Sequence, residues 1–397
     1  MSDRAVPDQS VSVRSVSPGT VPVATRTKGL PTPPLTTYAI VGSGWRSSVF
    51  LRLAYALPER FRVTGVVTRR AEPGAEVEAS WGVPTYRSFD DLLAVERPDF
   101  VVVSVPWAVT PELTRELVAR GIPVLSETPP APDLDGMRSL WADVGASRLV
   151  QIAEQYELLP SNAARLTLAR DGVIGTPTGA HVSSTHLYHA VALMRAALGV
   201  GLEPATVVSH AFTAPLVDPI TPAGWTQDST PKDARSILST IDFGAGRTGV
   251  YDFTDNQWWN PLRPDHLRIR GSAGEIDDDD VVRLADPVTP VISRLERAMS
   301  GQGMNYEGLD LTHVSFDGRV VFRNEFEGAR LMDDDIAVAT LLARMGAWIR
   351  EDGAPPYPLA QGLHDHQIGL AIDEATASGL PVTTTREPWA LADRTDS

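Results

Sequence analysis

Tyr38-Ala-Ile-Val-Gly42-Ser43-Gly44-Trp45-Arg46-Ser47-Ser48 joins a short apolar run to a pair of glycines and then to residues with helical spacing. The order predicts a strand, a glycine turn and a helix. Glycines let backbone N–H groups approach a ligand closely, and a helix N-terminus offers unpaired donors and a positive dipole end. A dinucleotide pyrophosphate needs that combination. The full fingerprint carries a third glycine where this chain has Ser47, a small residue in the slot where helix and strand pack closely. Gly42, Ser43, Gly44, Trp45 and Arg46 are therefore candidate cofactor contacts.

Outward from this turn the pattern alternates strand and helix. Phe50, Leu53, Ala54 and Leu57 share one helical face, and Pro58 closes that helix. Arg62–Val67 predicts a second strand. Ser88 is a helix N-cap candidate, and Phe100–Ser104 has the continuous apolar run of a strand buried on both faces. Thr110-Pro111-Glu112 opens another helix, ending at Gly121, with Ile122–Ser126 the next strand. A helix over Asp133–Val144 and a strand over Arg148–Ile152 complete the series. Repeated βαβ units make a parallel sheet with helices on both faces.

After Gln155 the texture changes. A helix over Asn162–Asp171 is followed by long alternating stretches at Thr206–Val217, Ser236–Phe253, Leu267–Ile276 and Leu311–Phe326. These suit an open, mostly antiparallel sheet with one face covered. Two helices follow, near Asp334–Ile349 and Leu359–Ser378. The fold class is α/β: a doubly wound parallel sheet over 37–156, then an α+β domain over 157–388. Residues 1–36, rich in Ser, Thr, Pro and Val, predict a disordered tail or an arm ordered on a neighbouring subunit, and 389–397 a C-terminal tail.

Composition narrows the function. Of 397 residues, 43% are hydrophobic and 21% charged, as in ordinary globular proteins, and the net charge of −15 argues against nucleic acid as the main partner. There is no cysteine, which excludes thiolate catalysis, Cys-ligated metal and disulfides. The N-terminal stretch lacks a signal-peptide apolar block and no run approaches a membrane span, so we expect a cytoplasmic protein. No metal site is expected: His364 and His366 sit at i, i+2 on a helix, where they do not face one another. The acidic runs Asp277–Asp280 and Asp333–Asp335 predict a solvated loop and a helix N-terminus.

Several segments together resemble the Gfo/Idh/MocA oxidoreductase family. They are the opening turn, Val103-Ser104-Val-Pro106-Trp107 followed by Thr110, Gly121-Ile-Pro-Val-Leu-Ser-Glu127-Thr128-Pro129, Gly172-Val-Ile-Gly175, and Ala371–Val382. The resemblance spans about residues 38 to 385 in order. It implies a Rossmann domain followed by an open-sheet domain, NAD(P)-dependent oxidation or reduction of sugars, cyclitols and related small molecules, and a homo-oligomer, dimer or tetramer. It also marks departures. Thr128 occupies the position of the family's Glu-Lys-Pro lysine, and Thr185 that of the acid four residues before the family histidine, which is His189 here.

On this basis His189 is the expected general acid or base, its ordinary pKa near 6.5 suiting proton exchange at neutral pH. In a helix His186 would share its face and Tyr188 would point elsewhere. Tyr156, at the end of the last parallel strand, is the preferred substitute proton donor, with Thr128 an uncharged hydrogen-bond donor. Gln155 or Tyr156 contacts nicotinamide or packs the domain junction. Ser104, Pro106, Glu127 and Thr128 would wall the nicotinamide, and Trp107 either lines that crevice or fills the domain interface. Thr68-Arg69-Arg70 ends the second strand with no carboxylate to bind a ribose 2′-hydroxyl. Arginines there attract a 2′-phosphate, which favours NADP with NAD possible. Gln257-Trp258-Trp259-Asn260 suits stacking on a ring, a sheet face or a subunit contact. Loss of the lysine leaves open a lyase or epimerase with retained cofactor, or a non-catalytic NADP-binding protein.

Overall fold

In the computed structural model, residues 34–221, 224–301 and 308–392 are described. The expected N-terminal tail lies almost wholly outside them, as do residues 393–397. The parallel sheet comprises β1 (Thr36–Val41), β2 (Phe61–Val67), β3 (Thr85–Tyr86), β4 (Phe100–Val103), β5 (Val124–Ser126) and β6 (Val150–Ile152) in the order β3-β2-β1-β4-β5-β6. Strand β1 starts at Thr36, inside the stretch expected to be tail. The helices between these strands are α1 (Trp45–Ala56), α2 (Ala71–Trp81), α3 (Phe89–Val95), α4 (Thr110–Ala119) and α5 (Leu134–Val144). Tyr38, Ile40, Phe100 and Val102 are fully buried, as a sheet covered on both faces requires. Ser88 caps α3 by accepting from Asp91 N, and Asp133 caps α5 by accepting from Gly136 N.

Helix α2 has no counterpart in the sequence expectations. Pro73 and Gly74 lie inside it, and only Gly74 and Val77 are buried, so its apolar stripe is faint. Packing at Gly74 is close: a Cβ there would come 2.9 Å from the Arg87 and Thr85 side chains, which would have to shift.

The second domain runs α6 (Pro160–Arg170), β7 (Pro177–Ser183), α7 (Leu187–Leu198), β8 (Thr206–Leu216), β9 (Ile220–Thr221), β10 (Gly224–Trp225), β11 (Lys232–Asp242), β12 (Thr248–Thr254), β13 (His266–Gly271), β14 (Gly274–Asp277), β15 (Asp280–Asp286), β16 (Thr289–Ser300), β17 (Asp310–Phe316) and β18 (Arg319–Arg323). Then come α8 (Asp333–Ile349), α9 (Leu359–Ser378), β19 (Val382–Thr383) and α10 (Trp389–Ala392). Eleven strands form one sheet, β18-β17-β16-β15-β14-β13-β7-β12-β11-β8-β19, antiparallel except for the β7–β12 pair. Helices α7 and α9 cover one face, where Ser209 meets Thr376 (2.5 Å). The other face exposes Val208, Phe212, Leu238 and Val282.

The chain's last third also braces the parallel sheet. Leu359 and Leu363 of α9 are buried in one core with Val150 and Ile152. Asp335, in the first turn of α8, pairs with Arg52 of α1 (2.5 Å). The expected C-terminal tail is corrected in part: Trp389 opens a short helix and is fully buried.

Candidate active site

The carboxyl ends of β1, β4, β5 and β6 meet along one edge, and the strand order reverses between β1 and β4. In doubly wound sheets ligands bind at such a switch point. Gly42 follows β1 with φ +107, and a Cβ there would lie 2.0 Å from the Ser104 carbonyl oxygen after β4. Only glycine lets the two loops come this close. At Gly44 a Cβ would meet nothing within 4 Å. Helix α1 begins there with no side-chain cap and no acid in its first turn. Its first N–H groups therefore face open space. Ser43, Gly44 and Trp45 are exposed, while Ser47 is buried and its hydroxyl has no partner among the described residues. These features fit a dinucleotide pyrophosphate.

Arg46, a candidate cofactor contact, is paired with two carboxylates. Its Nε donates to Glu127 Oε1 (2.7 Å) and Nη1 lies 3.7 Å from Asp334 Oδ2. The guanidinium is half-buried over the Phe50 ring, so its charge is already matched by carboxylates. Arg69 and Arg70 are exposed beside buried Thr68 at the end of β2. Pro106 and Trp107 project from the loop after β4, with Trp107 half-exposed.

The chemistry gathers after β6 and at the start of α7. His189 Nδ1 lies 2.5 Å from Glu154 Oε2, and Glu154 Oε1 accepts the Tyr156 N–H at 3.0 Å. Glu154 is 3% exposed and the His189 side chain 10%. Burial pushes the Glu154 carboxyl up to about 8, and burial followed by nearby Arg46 brings His189 down to about 3. Both shifts have one cause: the pocket disfavours net charge on the pair. Between those limits the two groups share a single titratable proton.

Aromatic groups surround this dyad. The Tyr156 ring lies 4.6 Å from His189, and burial raises its phenol to about 12 beside Thr185. Tyr156 does not end a strand as expected; β6 stops at Ile152 and Tyr156 opens a 3₁₀ turn. Tyr188 is also corrected. It does not point away: its hydroxyl meets His186 Nε2 at 3.2 Å and lies beside Thr128, and its ring is 4.5 Å from His189. The reason is local. His186 is the extended N-cap of α7, outside the helix, and Leu187 adopts φ +38 with its N–H donating to the Tyr251 hydroxyl at 3.3 Å. That strained residue turns His186 and Tyr188 to the same side. His186, largely buried, is lowered to about 3 by burial and by His189.

Gln257 locks the neighbouring loop. Its Nε2 donates to the Ser183 carbonyl (2.8 Å) and its Oε1 accepts from Thr254 N. Trp258 is thereby set edge-on to His186 at 4.9 Å and stays half-exposed. Gln155 is buried, with its Nε2 3.4 Å from Asp334 and its Oε1 unpartnered among the described residues. The acidic run at 277–280 forms the β14–β15 turn, with Asp277 paired to Arg268 and Asp279 to Arg165. No metal-holding cluster of His and acidic residues occurs among the described residues.

Sequence reasoning missed Glu154. An acid two residues after a strand made of Val-Gln-Ile, at the carboxyl edge of a parallel sheet, is a usable signal. Its partner His189 lies 35 positions later on another element, a pairing that spacing cannot reveal.

Residues 36–153 match the family described as "Oxidoreductase family, NAD-binding Rossmann fold" (GFO_IDH_MocA). No curated protein sequence matches the chain. Among solved structures, an oxidoreductase from Agrobacterium radiobacter in complex with NAD+, L-tartaric acid and magnesium superposes with TM-score 0.62 at 14% identity, covering 87% of this chain and 98% of that one. A myo-inositol dehydrogenase from Corynebacterium glutamicum gives 0.61 at 16%, over 88% and 99%. The WlbA dehydrogenase from Chromobacterium violaceum, with NADH and UDP-GlcNAcA, gives 0.57 at 14%, over 90% and 99%. At these identities the likeness is one of fold, and it extends through both domains. The N-terminal domain thus matches the NAD-binding Rossmann domain of the Gfo/Idh/MocA oxidoreductases in sequence, and both domains resemble solved oxidoreductases in fold.

Proposed function

We propose that this protein is an NAD(P)-dependent oxidoreductase, with NADP favoured, acting on an alcohol or carbonyl carbon of a sugar-like, cyclitol or secondary-metabolite molecule. The observation that carries the reading is the buried Glu154–His189 pair at the strand edge that also carries the Gly42–Gly44 turn. A bound nicotinamide would supply or accept the hydride. The residues of the chain do the rest. The Gly42–Trp45 turn holds the pyrophosphate, and Arg69 and Arg70 hold a 2′-phosphate. Ser104, Glu127 and Thr128 wall the nicotinamide side. His189 exchanges a proton with the substrate oxygen through Nε2, the ring nitrogen that Glu154 leaves free. Trp258, half-exposed beside His186, offers flat apolar surface to a ring. The ligands of the structural neighbours, tartaric acid and UDP-GlcNAcA, are small hydroxylated molecules, in keeping with this class.

The test is absorbance of reduced nicotinamide with a panel of polyols and their ketones, for wild type and His189→Ala. Loss of at least about 100-fold in kcat is expected, the usual contribution of a positioned acid or base. A rate within a few-fold of wild type would remove His189 from proton transfer. Thr128, uncharged where the family lysine stands, favours a second reading: a lyase or epimerase that retains its cofactor. Cofactor that co-purifies and shows no net turnover would select it. We infer further that the apolar helix-free sheet face joins copies of the chain, which sedimentation would check; a monomer at working concentration would contradict it.

A further inference from the structure

We propose that Glu154 is the positioning residue of this site: it holds His189 by Nδ1 and shares with it the proton that Nε2 delivers to a carbonyl oxygen, so that the site is built for reduction. The proposal rests on the hydride-transfer reading above.

Protons can be counted on the pair. His189 and Glu154 face each other across 2.5 Å, with Glu154 Oε1 occupied by the Tyr156 N–H. One proton between Oε2 and Nδ1 makes that bond, and the other proton of a neutral carboxyl–imidazole pair must then sit on Nε2. The groups around the pair are Arg46, Glu127, Asp334, Tyr156, His186 and Tyr188, with Glu157, itself pushed up to about 7 by burial and by Glu154, and Arg195 and Asp365 of α7 and α9 behind it. Arg46 is matched by Glu127 and Asp334, and Arg195 by Asp365 at 2.5 Å. His186 is neutral at pH 7, and the phenols of Tyr156 and Tyr188 are pushed up by burial. Arg46 favours ionised Glu154 and the nearby carboxylates favour protonated His189, but burial outweighs both and keeps the pair neutral overall. A neutral pair carries both protons: one in the Glu154–Nδ1 bond and one on Nε2. At pH 7 the site therefore presents an N–H donor to the substrate.

The step balances. The carbonyl carbon gains hydride from a reduced nicotinamide dinucleotide, and the carbonyl oxygen takes the Nε2 proton. The proton of the pair then resides on Nδ1, donated to a Glu154 carboxylate, and Nε2 is left as a bare acceptor. Solvent restores the lost proton. A family acid four residues before the histidine is replaced by Thr185, and here the carboxylate reaches the same histidine from a different element, the end of β6.

The first test uses the full-length protein with 15N-labelled histidine and needs neither cofactor nor turnover; the second reads turnover of Glu154 variants. Ring nitrogen shifts of His189 should show Nε2 protonated at pH 7, and a transition on raising pH through about 8. Nε2 found as a bare acceptor at pH 7 overturns the proposal. In Glu154→Gln, kcat for reduction should fall at least about 100-fold and the fall of rate above about pH 8 should disappear. Glu154→Asp should restore part of the rate and the pH profile. A Glu154→Gln enzyme that keeps the wild-type profile also overturns it. His189→Ala with wild-type rate would instead refute the function proposed above, so the two failures are distinguishable.

Discussion

Replacing Gly42 and Gly44 by alanine, one at a time, separates what the fold needs from what the nucleotide needs. At Gly42 the added Cβ would lie 2.0 Å from Ser104 O, 2.9 Å from Ser104 C and 3.3 Å from Val105 Cγ1, at φ +107. The unfavourable φ costs about 1–3 kcal/mol. Moving the β4 loop to relieve the overlap costs a further 1–3 kcal/mol or so, as overpacking does. Gly42→Ala should therefore lose about 2–6 kcal/mol of stability without ligand, a large share of the ~5–15 kcal/mol that holds a domain together. At Gly44 the added Cβ meets no protein atom within 4 Å, and φ is −77. The cost there is only the poorer N-cap, under about 1 kcal/mol. If the pyrophosphate lies on this turn, the methyl occupies its space, and Gly44→Ala should weaken nucleotide binding at least about tenfold, or 1.4 kcal/mol. Denaturant unfolding and calorimetric titration with NADP and NAD measure the two effects. A Gly44→Ala protein that binds nucleotide as wild type does would refute the placement. So would a Gly42→Ala protein of unchanged stability, for the turn itself.

Further outcomes are expected. Arg69→Ala should weaken NADP more than NAD; equal loss of both, or tighter NAD binding in wild type, would remove the 2′-phosphate role. Asp365→Leu should cost about 3–5 kcal/mol, because it strands Arg195, 4% exposed, and removes the acceptor of the Tyr357 hydroxyl. Arg195→Met with Asp365→Leu should recover most of that in an unfolding titration, and a single variant losing under about 1 kcal/mol would contradict it. The Glu154–His189 pair should also shape stability against pH. Glu154 is raised from 4.5 to about 8, so its contribution is lost as pH rises through about 8, while His189 is lowered from 6.5 to about 3, so its contribution is lost as pH falls. Between pH 4.5 and 6.5 the folded and unfolded pairs bind equal numbers of protons. From 6.5 to 8 only the unfolded state releases one, and stability falls by about 1.4 kcal/mol per unit. The difference between wild type and Glu154→Gln unfolding curves across this range measures it; a flat difference would contradict it.

Much of the architecture was legible in the sequence because it rests on local signals. Continuous apolar runs such as Phe100–Val103 mark strands buried on both faces, and capping residues such as Ser88 and Asp133 sit where the helices start. What escaped has physical reasons. Strand β16 is mostly exposed, so its twelve residues show no clear alternation. Helix α2 buries little. His189, His186, Tyr156 and Thr128, all singled out in the sequence, lie together in the structure. Tyr188 was misplaced because helical spacing was carried through His186, which is an extended cap. That Arg46 pairs with Glu127, 81 positions away, is likewise not visible in the sequence. Glu154 was passed over because an acid at a strand end resembles a solvated one until its burial is known.

The most direct measurement is electron density for the complex with reduced nicotinamide dinucleotide phosphate. The account predicts the pyrophosphate on the Gly42–Trp45 turn and the nicotinamide between Thr128 and Tyr156. The C4 edge should face His189 Nε2, with room for one substrate carbon and its oxygen between them. A nucleotide bound elsewhere, or a nicotinamide turned away from His189, would contradict it.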